Sequence, residues 1–405
     1  MFDTLHDRLR SGDWLTARVV HLGCIALVLS YVITLVVTYL GADNMVLDNG
    51  VLLGSDYFCF WVAGQLANAG RLGEIYDHVA FVAAQKNVVA LPYDYFFFYP
   101  PHFLLVLMPF AALGYALSYV AFMFVTFALA AWLVYVLRPT PFSIVGAMAV
   151  PFFSTNLFYG QNGFLTMALL GFGLSFSGRR PVAAGLAIAA LTIKPQLGLL
   201  VPFVLIMDRH WTAFVAACLG IVALLGATWF VFGSDVFTDF IASSGKPLAV
   251  LREGALGWAN AISAYSAARL AGLGDTAGWV VQAICSAAAL GIGLYVCWRS
   301  PESLRDLRNA VVVVCTLLIT PYALLYDGFA AVLALVWLIQ SMERDGALPW
   351  EKALLMFVVL APLVTKLVAE ATGISVGFVS MVTLLGLLLR RWHHMLHEKR
   401  HAGLS

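Results

Sequence analysis

The sequence predicts an all-α polytopic membrane protein, a bundle of roughly 11–13 transmembrane helices whose external loops carry short amphipathic helices. Three observations predict it. Of the 405 residues, 62% are hydrophobic and 11% charged, with a mean hydropathy of +0.89, whereas soluble domains carry about 25% charged residues. Apolar runs recur along almost the whole chain, and about 20 apolar residues span a bilayer core. Lysine and arginine also divide unequally between alternate connectors, as the positive-inside rule requires.

The elements follow in order. Met1–Arg18 is polar, and the apolar run after it lacks a small-residue cleavage site, so Val19–Leu40 reads as a retained first helix rather than a signal peptide. Further helices are expected near 115–137, 142–158, 163–178, 181–194, 196–207, 212–232, 276–298, 309–320, 328–341, 350–370 and 374–392. With a cytoplasmic N-terminus, six of the 23 lysines and arginines fall outside (Arg71, Lys86, Lys246, Arg252, Arg269, Lys366), Lys194 falls within the membrane, and the other sixteen fall inside. Both termini are then expected in the cytoplasm, in a cytoplasmic (inner) membrane. The chain reads as a single membrane domain, residues 1–405, with external loops at 41–101 and 233–275. Within the first loop, Phe60–Leu72 and Val79–Val89 read as amphipathic helices at the interface. Phe103–Leu113 is too short to span alone and reads as re-entrant or interfacial.

Several helix pairs are only about 12–17 residues each, or roughly 18–25 Å, so a pair cannot cross a core of about 30 Å twice. Their external turns must sit at outer-leaflet depth. Those turns carry Gly160-Gln161-Asn162, Lys194-Pro195-Gln196, and Thr320-Pro321-Tyr322 through Tyr326-Asp327. Irregular polar backbone at that depth is tolerated only where protein or water covers it, which predicts a polar cavity open to the outside.

The leading candidate for chemistry is Asp56, a carboxylate just outside the first span, with Tyr57 and Trp61 near enough in sequence to flank a sugar ring. Its bland alternative is an N-cap for the following helix. Lys194 costs about 2.5–3.5 kcal/mol at a helix centre on insertion scales, so it needs a partner, an escape to the interface, or an anion such as phosphate. Asp327 is a possible partner for Lys194 or Lys366. Gln161 and Asn162 also fit a plain interhelical hydrogen-bond station, and Lys246 and Arg252 a solvated loop face. The aromatic run Tyr93–Tyr99 fits an interfacial belt. His393, His394, His397 and His401 alternate with basic residues in the C-terminal tail and fit a lipid-surface patch better than a metal site.

Other classes are set aside. A net charge of +1 argues against a nucleic-acid partner. The six cysteines show no paired spacing, and five lie in apolar runs. No Walker loop, HExxH or GxSxG motif occurs. Gly272-Leu273-Gly274-Asp275 resembles part of the intramembrane aspartyl protease signature, but Tyr326-Asp327 follows it in the wrong order. A transporter or flippase of a lipid-linked saccharide is the alternative reading, although no internal repeat is evident.

One ordered set of residues resembles glycosyltransferase family 87: Asp56, Tyr76-Asp77, Tyr99-Pro100-Pro101 with Phe103 and Pro109, Gly160-Gln161-Asn162, and Lys194-Pro195. The resemblance runs from about Asp56 to Arg209. It implies a GT-C-type bundle that moves a sugar, mannose above all, from a polyprenyl-phosphate donor in the outer leaflet to a lipid-linked or glycan acceptor hydroxyl. It implies inversion, with Asp56 as general base. Lys194, Lys246 and Arg252 would hold the donor phosphate. Tyr57, Trp61, Asp77, Tyr99, His102, Gln161, Asn162, Gln196, Tyr322, Tyr326 and Asp327 would bind substrate. Neither metal nor cofactor is expected. Family members often carry a histidine in the late motif; Pro321–Asp327 has none, which leaves more of the burden on Asp56.

Overall fold

The computed structural model describes residues 2–42, 45–47, 51–89 and 94–401. Among them there is no β-strand, only isolated bridges between Val46 and Leu52 and between Ala261 and Leu324. Tyr93, the first ring of the aromatic run, lies outside the described residues.

The N-terminal part comprises α1 (Phe2–Ser11) and α2 (Ala17–Leu40), the latter started by Thr16, whose hydroxyl accepts from the Val19 N–H. Most of α2 is apolar and exposed, the pattern of a helix whose solvent is lipid. Next come α3 (Ser55–Asn68), α4 (Gly73–Tyr76), α5 (His78–Lys86), α6 (His102–Ala111) and α7 (Tyr115–Leu137). Helix α3 departs from the interfacial helix expected at Phe60–Leu72. Tyr57, Phe58, Phe60 and Ala63 are all buried, and α3 lies so close to α6 that a Cβ on Gly64 would come within 2.5 Å of Ala111 Cβ. Its apolar residues spread over most of its circumference, and beyond Asp56 only a narrow stripe, Trp61, Gln65 and Asn68, keeps exposure.

The expected helix at 142–158 is two helices, α8 (Pro141–Ala149) and α9 (Pro151–Tyr159), bent by 71°. Pro151 has no N–H and disfavours helical backbone at the preceding residue, and Val150 is extended at φ −67°, ψ 127°. Then follow α10 (Gly163–Phe176), α11 (Pro181–Ala190), two 3₁₀ turns either side of Lys194, α12 (Val201–Met207) and α13 (Trp211–Phe232). The segment 233–275, expected as the second external loop, folds as α14 (Asp235–Ser243), α15 (Lys246–Glu253) and α16 (Ala264–Leu270). The chain ends with α17 (Asp275–Arg299), α18 (Arg305–Ile319), α19 (Ala331–Asp345), α20 (Glu351–Thr372) and α21 (Val376–His401).

Among the described residues five helices, α2, α7, α13, α17 and α20, are long and apolar enough to cross a membrane, and the bent pair α8–α9 would make a sixth. The other expected spans are shorter or carry more charge. The core of the bundle is the hairpin α18–α19, buried along nearly its whole length. Each arm has 15 residues, about 22 Å, so the 320–330 connection at its tip is held at membrane depth. The base of α18 is anchored by Arg308, whose guanidinium grips both carboxylate oxygens of Asp208, the second at 2.7 Å.

Candidate active site

Two glycines bring Asp56 to its partner. Gly54, at φ +73°, starts α3 and donates its N–H to Phe158 O at 3.0 Å; Tyr115 OH donates to Leu53 O and Gly54 O. Gly160, at φ +71°, ends α9, and a Cβ there would lie 2.4 Å from Tyr57 Cβ and 3.3 Å from Gly54 Cα. The start of α3 thus lies directly on the α9–α10 turn, an approach only glycine permits. The N-cap position is Gly54, and the Asp56 carboxylate does not cap α3. Instead its Oδ2 accepts from Gln161 Nε2 at 2.8 Å, while Gln161 Oε1 accepts from Tyr99 OH at 3.1 Å and from the Asn162 N–H at 3.3 Å.

The second half of the cluster is a buried ion pair. Pro195 breaks the helix at Lys194, whose ammonium donates to Asp327 Oδ1 at 2.6 Å; the two side chains are 6% and 4% exposed. Tyr326 and Tyr99 face that ammonium with ring centroids at 4.7 and 5.6 Å. Asp327 Oδ2 also accepts the Leu324 N–H at 3.2 Å. Asn156 joins the α9–α10 turn to this segment: its amide donates to Tyr326 O at 2.8 Å and accepts from the Gly163 N–H at 2.8 Å. The 233–275 segment meets the same stretch through Ile262 N to Ala323 O and Leu325 N to Asn260 O.

Three turns far apart in sequence, with the start of α3 and the segment before α6, therefore gather Asp56, Tyr99, Gln161, Asn162, Lys194, Tyr326 and Asp327. Burial pushes the Asp56 carboxyl up to about 6, against the lowering effects of the Gln161 hydrogen bond and the Lys194 charge. Gln161, Asn162, Lys194 and Asp327 are buried, while Asp56, Tyr99 and Tyr326 keep partial exposure. Where the sequence predicts a polar cavity open to the outside, these side chains pack mostly against one another, Asp56 on Gln161 and Lys194 on Asp327, and the Asn162 side-chain amide is buried with no hydrogen-bond partner among the described residues.

The profile of glycosyltransferase family 87 matches residues 97–321, more than half of the chain. The chain belongs to glycosyltransferase family 87. Its fold is accordingly that of an all-α membrane glycosyltransferase, and it is an enzyme of that class. No curated protein and no solved structure matches it. Asp56 lies before the matched stretch, and Tyr326 and Asp327 just after it.

The other candidate residues of this family 87 glycosyltransferase take no part in the Asp56–Gln161 and Lys194–Asp327 contacts. Tyr57 OH bonds Ser118 Oγ at 2.6 Å amid Tyr119 and Phe122. Trp61 Nε1 donates to Leu113 O at 3.0 Å. Asp77 caps α5 by accepting the Val79 and Ala80 N–H groups, which hold its carboxyl below the usual carboxylate range. His102 pairs with Thr192 Oγ1 at 3.2 Å. Gln196 and Tyr322 are half-buried. Lys246 donates to Tyr76 O at 3.1 Å, and Arg252 lies 3.5 Å from Asp275. Asn156 escapes the sequence reading; its signal is an amide inside an apolar run.

Proposed function

We propose that the enzyme transfers a hexose, mannose by the family resemblance, from a polyprenyl-phosphate donor to a lipid-linked or glycan acceptor hydroxyl, with inversion. The donor anchors in the outer leaflet and the acceptor enters from the external side, the orientation the charge asymmetry favours. Asp56 is the general base. The acceptor O–H proton passes to Asp56 Oδ1, which has no hydrogen-bond partner among the described residues, as the acceptor oxygen attacks the anomeric carbon. The anomeric C–O bond breaks, its electron pair stays on the phosphate oxygen, and polyprenyl phosphate departs with one more negative charge. That group leaves well without protonation, so one carboxyl suffices, whereas a glycosidase typically needs two.

Lys194 holds the phosphate. An ammonium has three donors and Asp327 takes one, which leaves two for phosphate oxygens in a setting of low dielectric. Lys246 and Arg252 contribute charge from the second external segment.

The observation that supports this reading best is the Asp56–Gln161 contact: a carboxylate at a helix start that is turned from capping and held toward a second polar turn. The test is Asp56→Asn with short-chain polyprenyl-phosphate sugars, following release of polyprenyl phosphate. Donor binding should survive while turnover falls by about 10²–10⁴-fold. A structural role would show the reverse, a lower yield with near-normal turnover per folded molecule.

A further inference from the structure

We infer that Gln161 is the positioning residue of the base: it fixes which oxygen of Asp56 takes the acceptor proton and favours the carboxylate form. The inference rests on the reading of Asp56 as base and deepens it.

The argument is one of donors and acceptors. A carboxamide has one end that accepts and one that donates, and which end faces which way is set by its surroundings. A backbone N–H can only donate, and the Asn162 N–H meets Gln161 at 3.3 Å. The carbonyl end must therefore face it, and Tyr99 OH, at 3.1 Å on the same oxygen, donates as well. The NH₂ end is left with one direction, toward Asp56 Oδ2 at 2.8 Å. A Gln161 held in this way always offers Asp56 a donor. A neutral carboxylic acid carrying its proton on Oδ2 would clash with that donor, so the proton is steered to Oδ1, the oxygen left for the acceptor.

The fixed amide also counters the surroundings. Around Asp56 lie Tyr99, Tyr326, Tyr115, Tyr159 and Cys59, none of them cationic, and the Lys194 charge is shared with Asp327. Burial raises the carboxyl, and the Gln161 donor and the Lys194 charge both work against it. A hydrogen bond to an ionised group is worth enough to move such a titration by about one to two pH units.

The decisive measurement is the pH profile of sugar transfer in Gln161→Leu, read with donor KM and thermal stability in detergent. The acid limb should move upward by about one to two pH units, with turnover recovering at high pH and donor KM unchanged. Tyr99→Phe removes one lock on the amide and should move the limb the same way by less, which keeps the test open if the leucine variant inserts poorly. An unmoved limb with uniformly lower turnover, or a rise in KM alone, would overturn the inference, the latter making Gln161 a substrate contact. Asp56→Asn separates the two levels: full turnover there removes the base itself, whereas lost turnover there with an unmoved Gln161→Leu limb removes only the positioning role.

Discussion

The Lys194–Asp327 pair allows stability and donor binding to be taken apart. Both side chains are withdrawn from solvent and joined at 2.6 Å, so removing one partner strands a buried charge, at a cost of about 3–5 kcal/mol. The two single variants should differ. Lys194→Met leaves an anionic Asp327 with only the Leu324 N–H as a named donor, and it also loses the ammonium contact with the Tyr326 ring, worth about 0.5–2 kcal/mol. Asp327→Asn leaves the ammonium with an amide oxygen and two ring faces, and should be the milder change. The double variant Lys194→Met with Asp327→Leu replaces the pair by apolar groups, an exchange often neutral or stabilising, so it should recover most of the loss. Stability is read by thermal unfolding in detergent, and donor binding by titration of a short-chain polyprenyl-phosphate sugar. If Lys194 holds the phosphate, the double variant is stable yet binds donor poorly and turns over slowly. A double variant that is stable and binds donor as well as the native enzyme would refute the phosphate role and leave a structural pair.

Two further outcomes follow from the same geometry. With the Asp56 carboxyl pushed up to about 6, transfer should fall as pH drops through 6, the base being lost to protonation, and Lys194→Met should move that fall to higher pH by removing a charge that favours the anion. The sign for stability is opposite: the folded carboxyl holds its proton more tightly than the unfolded chain does, so between about pH 6 and the model-peptide value of about 3.8, acidification relieves the fold at this position. For topology, single cysteines placed in 41–100 should react with an impermeant reagent from outside, and cysteines at Arg344 or in the C-terminal tail only after the cytoplasmic face is opened. Labelling of the first loop from the cytoplasm would place the donor site on the wrong side.

Polar residues in an apolar chain were the readable part of this site. Lys194, Asp327 and the Gln161-Asn162 turn each carry a transfer cost that demands a partner, and each was visible for that reason. Which partner each takes was not. Lys366 was as good a candidate for Asp327 until the fold set it on α20 facing Glu370 at 3.9 Å. Tyr57 and Trp61 illustrate a different loss. Judged by nearness in sequence, they share a surface with Asp56; wound into α3, neighbours in sequence point about 100° apart, so Tyr57 turns to Ser118 while Asp56 turns to Gln161. Asn156 was hidden because a long apolar run masks one amide, and its partners, Gly163 and Tyr326, lie on later turns. The bend at Pro151 was in principle legible from the proline and was lost to hydropathy, which ignores backbone donors.

The order in which the chain is made gives the buried pairs a history. Lys194 leaves the ribosome 133 residues before Asp327, and Asp208 leaves 100 residues before Arg308. At about 5–20 residues per second, the lysine waits roughly 7–27 s for its counter-ion. During that interval α11 and α12, each too short to span and separated by an unneutralised ammonium, have no favourable resting place in lipid. The α18–α19 hairpin carries both late partners, Arg308 at its base for Asp208 and Asp327 at its tip for Lys194. One late-made hairpin therefore supplies the counter-charges of both the proposed phosphate site and the base of the bundle.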